Sequence, residues 1–485
     1  ADNYYFKGGL VLERDTSKVP SGTNTALIGL IGTATDSDKI ITITVGNSEV
    51  GSNRVKLDLT NIAGSNTLKK NIIHVGGNVD DYSNILNINL KNSDMHIDGK
   101  YYGAIVVDNI KTNYSTNGKI NINGDGSSDL IIGGDMTKGV YVHGNGYLNI
   151  KGIDDFIIFN DALEKEYYNG NLLLSTMKQY VAIDAYTVNG AEIETKNLII
   201  TGDNLKEGEQ AFYTGIMTGK ESVPDNAKLD IDAKGIIKID SVAYGIYNSG
   251  DGRYSADNIY IKANAIIDDK YWAGPRYIGG EAVNTKGILN LTANNNMTLI
   301  GEVDGLNIYG GDYKSTIDSE FQKNIGTTYV KAVNGKLNII GKLENGVYSQ
   351  MQPFQDGIKT AELRAGSTVN IYGKENGVYY QPGSRNLSII SDNDDVNITS
   401  DGNAFDGNNR SYTSVLQSNL RSNVDVKAEN GSVNIIGGKN GLLLDNNSIK
   451  GESGGKYYNG GYYNTMNINA GKSVNISGGE EFGIR

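Results

Sequence analysis

In 485 residues the chain has no cysteine, 5 prolines, 3 histidines and 1 tryptophan. Without cysteine there are no disulfide staples, thiol nucleophiles or cysteine metal clusters, a composition common among exported bacterial proteins that cross compartments before folding. Scarce proline leaves β-ladder hydrogen bonds intact, since each proline in a strand removes one donor. No run approaches the ~18 apolar residues of a membrane-spanning helix. The longest such stretch, ALIGLIG from Ala26, is interrupted by glycines. Positive charge is also short: the net charge of −12 repels phosphate backbones, and no basic stripe with interleaved aromatics argues for nucleic acid.

Catalytic signatures are equally sparse. The string GESGG around Ser453 has the letters of a nucleophile elbow but neither a following helical pattern nor a later histidine, because His74, His96 and His143 all lie upstream. GKS at Gly471 lacks the first glycine of a phosphate loop, Met466 standing in its place, and no histidine pair has zinc-ligand spacing. No catalytic residue, metal ligand or cofactor is assigned. Asp392, Asp394 and Asp395 are close enough in sequence to hold Ca²⁺, and NINGDGSSD around Asp125 approaches a glycine-aspartate calcium repeat. Solvated turns account for both, given the preference of Asp and Asn for corners.

What the chain has is repetition. LENGVYSQ from Leu343 returns as KENGVYYQ from Lys374, each after an apolar alternation, KLNIIG and then TVNIYG. Looser copies are VAYGIYNSG after GIIKID, EVDGLNIYGG after NNMTLI, GKNGLLLDN after SVNIIG, and, upstream, MTKGVYVHG and KYYGAIVVDN. Each unit holds segments such as AELRA, TVNIYG and GVYYQ, too short for helices and alternating with the period of a strand that buries one face. In TVNIYG, Val369 and Ile371 face one way and Asn370 the other. Three strands per unit of roughly 30 to 40 residues describe one coil of a solenoid. The 63 glycines supply its corners. The expected fold is all-β, a right-handed parallel β-helix in which about a dozen coils at ~4.8 Å make a rod on the order of 60 Å long. A four-stranded propeller blade would need a Trp-Asp signature that one tryptophan cannot supply.

Residues 1–40 lack clear three-strand units and read as an N-terminal cap; residues 41–485 read as the β-helix. Two interruptions, around Asp161 and around Ser315, have helical spacing and are expected to be short helical excursions, the first capped by Asp161. The start at Ala1 resembles a mature exported protein, and the end, just as a GVY-type strand begins at Gly483 and Ile484, is expected of a piece of a longer polypeptide cut in mid-coil.

The Asn/Gly-rich VNIxG and NGVYxx units across most of residues 100–485 resemble the passenger regions of large autotransporter adhesins and haemagglutinin-type surface proteins of Gram-negative bacteria. The resemblance implies a signal peptide removed on export, a C-terminal translocator barrel anchoring the parent to the outer membrane, display at the cell surface or secretion, and attachment to glycans or proteins of host or bacterial cells. It carries over no site residue, because the class has no common site motif.

Two outward columns are candidates for contact with partners. Asn338, Asn370, Asn397, Asn434 and Asn475 are expected to stack as an amide ladder that is structural. Tyr141, Tyr247, Tyr348 and Tyr379 are expected to form an outward column of rings. Tyrosine dominates the aromatics, 31 against 8 Phe, and gives large contact area with a polar tip at low entropic cost. It clusters in loops at Tyr457, Tyr458, Tyr462 and Tyr463, and at Tyr271, Trp272 and Tyr277. With Tyr348 and Tyr379 these are the candidate binding residues of a non-enzymatic adhesin. The rivals are a β-helical polysaccharide lyase or hydrolase, requiring two convergent acids in a groove, and a passive stalk whose binding tip lies elsewhere.

Overall fold

The computed structural model describes residues 1–19, 25–32, 37–63, 70–76, 82–108, 118–220, 225–309, 326–350, 359–381, 384–407, 423–444, 450–453, 456–459 and 465–485. The chain is all-β, with parallel strands joined in one 36-stranded sheet.

Alternation decides which side chains are inside. Val369 and Ile371 are 0% and 1% exposed, whereas Asn370 and Tyr372 between and beyond them are half-buried. Fully burying one such aliphatic side chain contributes about 1.5–3 kcal/mol. The same phrase recurs level after level, so the inward residues form one continuous core from Ile43 to Leu442.

The strands pair in three parallel ladders. The first runs through Ile288–Ala293, Thr328–Ala332, Thr360–Ala365 and Asn386–Ser391. In the second, Leu337 is opposite Val369, Val369 opposite Val396, Val396 opposite Val433 and Val433 opposite Val474. The third joins Glu281–Thr285, Leu306–Ile308, Asn345–Ser349, Asn376–Tyr380 and Asn403–Asp406. Between the second and third ladders the backbone turns so tightly that a Cβ on Gly341, Gly373 or Gly437 would lie 1.8 Å from the carbonyl oxygen of Asn345, Asn376 or Asn440. That contact explains the glycine ending these three phrases; Val396–Ser400 ends on Ser400 at the equivalent position.

The described strands within residues 1–40 join the stack. Asp2–Phe6, Leu10–Asp15 and Ala26–Ile31 each pair in register with a strand of the next level. Charge in Asp2–Phe6 and Leu10–Asp15, with tyrosine in the first, blurs the alternation in the sequence. Asp161 does not cap a helix. That segment forms a small antiparallel hairpin, Tyr167–Tyr168 with Asn171–Leu172, and then one helical turn, Leu174–Met177, preceded by Leu173 with no side-chain cap. A run of leucines drives the turn by burial: Leu172 and Met177 are 6% and 0% exposed. The expected excursion at Ser315 lies outside the described residues.

Candidate functional site

The expected amide ladder is present. Each Nδ2 donates to the Oδ1 of the level before: Asn370 to Asn338 at 2.9 Å, Asn397 to Asn370 at 2.9 Å, Asn434 to Asn397 at 2.8 Å and Asn475 to Asn434 at 2.7 Å. Asn370, Asn397 and Asn434 each spend an N–H and an oxygen on their neighbours along the stack, the pattern of a structural ladder.

A second amide ladder, not foreseen from the sequence, is made by the Asn that opens each later third-ladder strand, in an NG pair at Asn345, Asn376 and Asn440 and before Ala404 at Asn403. Asn440 donates to Asn403 at 2.9 Å, Asn403 to Asn376 at 3.2 Å and Asn376 to Asn345 at 2.9 Å. The chain of donors ends on Asp304 Oδ1, which accepts from both the backbone N–H and Nδ2 of Asn345 at 2.9 Å. Asp304 takes the place an asparagine holds in later levels. One level further back, the register that sets Val283 against Leu306 brings Glu281 to the same position.

This break in the repeat is the floor of a cleft of about 780 Å³. Two inserts wall it. Leu163, Leu172 and Met177 of one insert pack with Ile266 and Ile278 of the hairpin Ile266–Asp268/Arg276–Ile278, against Tyr213 and Ala243 of the third ladder. Lys270 over the Tyr167 ring, at 4.2 Å, joins the inserts to each other.

Glu281 is half-buried and its two oxygens accept from Asn284 Nδ2 and, at 3.3 Å, from Asn307 Nδ2. Burial raises its pKa, opposed by those amide bonds. Asp304, 3% exposed, is raised further, first by burial and then by the neighbouring Glu281 charge. Glu344 stands at the rim, where the cleft walls desolvate it and the Glu375 charge adds to the rise. Lys286 spreads over the rings of Tyr247 and Tyr309, at 5.3 and 4.6 Å.

Arg385 supports that arrangement from behind. Fully buried, it donates through Nε to Gly326 O at 3.1 Å, and through its terminal nitrogens to Tyr309 O at 3.3 Å and Lys286 O at 3.2 Å. Burial lowers its pKa to about 9, which leaves it charged near neutrality. Two of its three acceptors are the carbonyls of residues whose side chains line the cleft.

Among the described lining residues, two polar atoms are buried without a partner: the acceptor Asn284 Oδ1 and the donor Arg276 Nε. Leaving such a group unsatisfied costs about 1–3 kcal/mol, which a bound molecule with hydroxyl groups would relieve.

Of the tyrosines named from the sequence, Tyr277 and Tyr348 line this cleft. Tyr379 meets Tyr348 edge-on with ring centroids 5.2 Å apart. Tyr271 and Trp272 share the hairpin tip, 5.7 Å apart, with Arg276 stacked 4.6 Å from Tyr271 and Trp272 84% exposed. Tyr457 and Tyr458 belong to the backbone of an antiparallel hairpin, Lys450–Ser453 with Lys456–Asn459; Tyr462 and Tyr463 lie outside the described residues. Ser453 is on that hairpin, not on a strand-to-helix turn. The tyrosine column is interrupted. Tyr141 is opposite Asp184, Tyr247 opposite Met217 on one side and Asn284 on the other, and only Tyr348 and Tyr379 are neighbours.

The Asp392 group divides its bonds among separate partners. Asp392 pairs with Arg364 at 2.7 Å, Asp394 accepts from Ser367 Oγ at 2.7 Å, and Asp395 accepts from the Ser432 N–H at 2.7 Å. Asp125 accepts from the N–H groups of Asn92 and Ser127, a turn-forming role.

No family model matches this chain, and no curated protein or solved structure matches it.

Proposed function

We propose that the three ladders wind as a right-handed parallel β-helix, exported and displayed at the cell surface as in autotransporter passengers, and that the chain is an adhesin holding a glycan of a host or bacterial cell in the cleft between Tyr277 and Tyr348. The reading rests on one observation above others: a tyrosine-lined cleft that leaves both an acceptor, Asn284 Oδ1, and a donor, Arg276 Nε, buried without partners. A polyol supplies both kinds of group from adjacent hydroxyls, and tyrosine rings supply an apolar surface with a wet edge. A stack of ladders is a rigid mount for such a site.

The test is a glycan array with the whole chain, repeated with Tyr277→Ala and Tyr348→Ala. Binding is expected to fall about tenfold or more in each variant, the loss typical of a hot-spot aromatic. Unchanged binding in both would remove the cleft from the function. Hydrolysis of the bound glycan is a second reading, favoured by the carboxyl groups of Glu281, Asp304 and Glu344 with raised pKa values in one cleft. Release of new reducing ends, abolished by Glu344→Gln, would establish it; intact oligosaccharide after prolonged incubation would dismiss it.

A further inference from the structure

The cleft just assigned to a saccharide has a floor with a marked chemical bias: its unused hydrogen-bonding capacity is nearly all acceptor. Glu281 uses one bond on each oxygen, out of about four lone-pair sites on a carboxylate. Asn284, 6% exposed, spends its amide N–H on Glu281 and keeps Oδ1 unmatched. Asp304 accepts only through Oδ1, from Asn345. Glu344 precedes that same asparagine at the rim. The carboxyl groups therefore stand on three successive levels, with neighbouring strands spaced ~4.8 Å apart.

Three cations line the cleft, Lys178, Arg276 and Lys286, and the Lys286 charge is felt at Glu281. Arg276 reaches Asp268 at 3.4 Å and stacks on Tyr271, while Lys286 lies against Tyr247 and Tyr309. Among the described residues no ion pair is made by Glu281, Asp304 or Glu344. An ammonium group is the chemical complement: three donors, no acceptor and a positive charge. The rings of Tyr213 and Tyr244, 5.3 Å apart in the same lining, add a face that attracts a cation.

We propose that the cleft selects a saccharide carrying a free ammonium group, a hexosamine without its acetyl group, seated with the nitrogen between Glu281, Glu344 and Asn284 Oδ1. This selection rests on the saccharide reading given above. An N-acetyl group replaces the charge and two of the donors with an amide. An acidic sugar brings a carboxylate against Glu281 and Glu344 and is disfavoured outright.

Calorimetric titration of the whole chain with three probes tests it: a glucosamine tetramer, an N-acetylglucosamine tetramer and a galacturonate tetramer. The free-amine tetramer is expected to bind about tenfold tighter than the acetylated one, and galacturonate weakest. Glu344→Gln, an isosteric change at the solvent-exposed rim, should cost the free-amine tetramer about tenfold and the acetylated one markedly less, while the remote Asp401→Asn should alter neither. An acetylated tetramer that binds as tightly as the free amine overturns the amine preference and leaves the saccharide reading standing. Equal losses in Glu344→Gln and Asp401→Asn overturn it as well, because they report only the attraction of a cation to a chain of net charge −12. Absence of binding by all three probes overturns both readings.

Discussion

The levels after Leu337 and the levels between Phe212 and Ile308 are built on the same three ladders and have opposite characters. In the later region each level copies the last: Val369 over Leu337, Asn370 over Asn338, Asn376 over Asn345. Amide meets amide and every donor finds the next acceptor. In the earlier region the buried asparagine is replaced by Asp304 and then Glu281, the insert just before it and the hairpin within it pack over the third ladder, and two lining atoms, Asn284 Oδ1 and Arg276 Nε, have no partner. Regular stacking satisfies a polar column internally and leaves nothing for a ligand. Where the copying stops, hydrogen-bonding capacity is left over, and a cleft forms around it.

The sharpest way to break this contrast is Arg385→Met. Arg385 belongs to the regular region yet bonds Lys286 of the irregular one, and Tyr309 and Gly326 just beyond it. Losing it removes a donor from each of three carbonyls, and a drop of about 3 kcal/mol or more is expected by urea denaturation, with weaker saccharide binding as Lys286 and Tyr309 lose their support. A stability change under 1 kcal/mol, on the order of one ordinary hydrogen bond, would show that water replaces the guanidinium.

Next in size is a comparison of the two amide ladders. Asn376→Ala interrupts the buried one, leaving Asn345 Oδ1 without its donor, and is expected to cost about 2–3 kcal/mol. Asn370→Ala interrupts the half-exposed one, where water substitutes, at about 0.5–1 kcal/mol. Equal costs would mean that burial does not distinguish them.

The third prediction concerns pH. Asp304, Glu281 and Glu344 all have carboxyl pKa values raised in the folded protein, chiefly by burial. A raised acid favours the folded state while protonated, so this contribution is full below the ordinary carboxyl range and is lost as pH rises through the folded values. Melting temperature should therefore decline from about pH 4 upward, where ordinary carboxyl groups titrate, and Asp304→Asn should flatten that decline while extending the buried ladder by one amide. A variant with the same slope as the parent would locate the titration elsewhere.

How far the residues could be read in advance follows from the same contrast. Parallel stacking was legible because VNIxG and NGVY recur with alternating apolar positions, and the outer ladder because Asn370 and its equivalents sit between two inward residues. The buried ladder was missed because Asn345 and Asn376 look like ordinary turn residues before glycine. A signal was nevertheless present: VDGLNI carries Asp304 where ENGVYS carries Asn345. Glu281 had no comparable mark, since its level opens on Gly279 and Gly280 without an NG pair. The cleft walls were invisible for a different reason. They come from hairpins distant in sequence, and only packing brings Met177 and Ile278 onto Tyr213. Tyr277 and Tyr348 were named for their chemistry, while the interruptions of their column by Asp184, Met217 and Asn284 depend on pairing register, which loops of unequal length conceal.

Hydrogen–deuterium exchange of the whole chain with and without a glucosamine tetramer addresses the site most directly. Protection is expected in peptides covering residues 276–286, 304–309 and 344–350, with none in those covering the regular second ladder at 396–400 and 433–437. Protection confined to the hairpin at 450–459, or none in the cleft peptides at saturating tetramer, would contradict the assignment of the saccharide to the place where the ladder breaks.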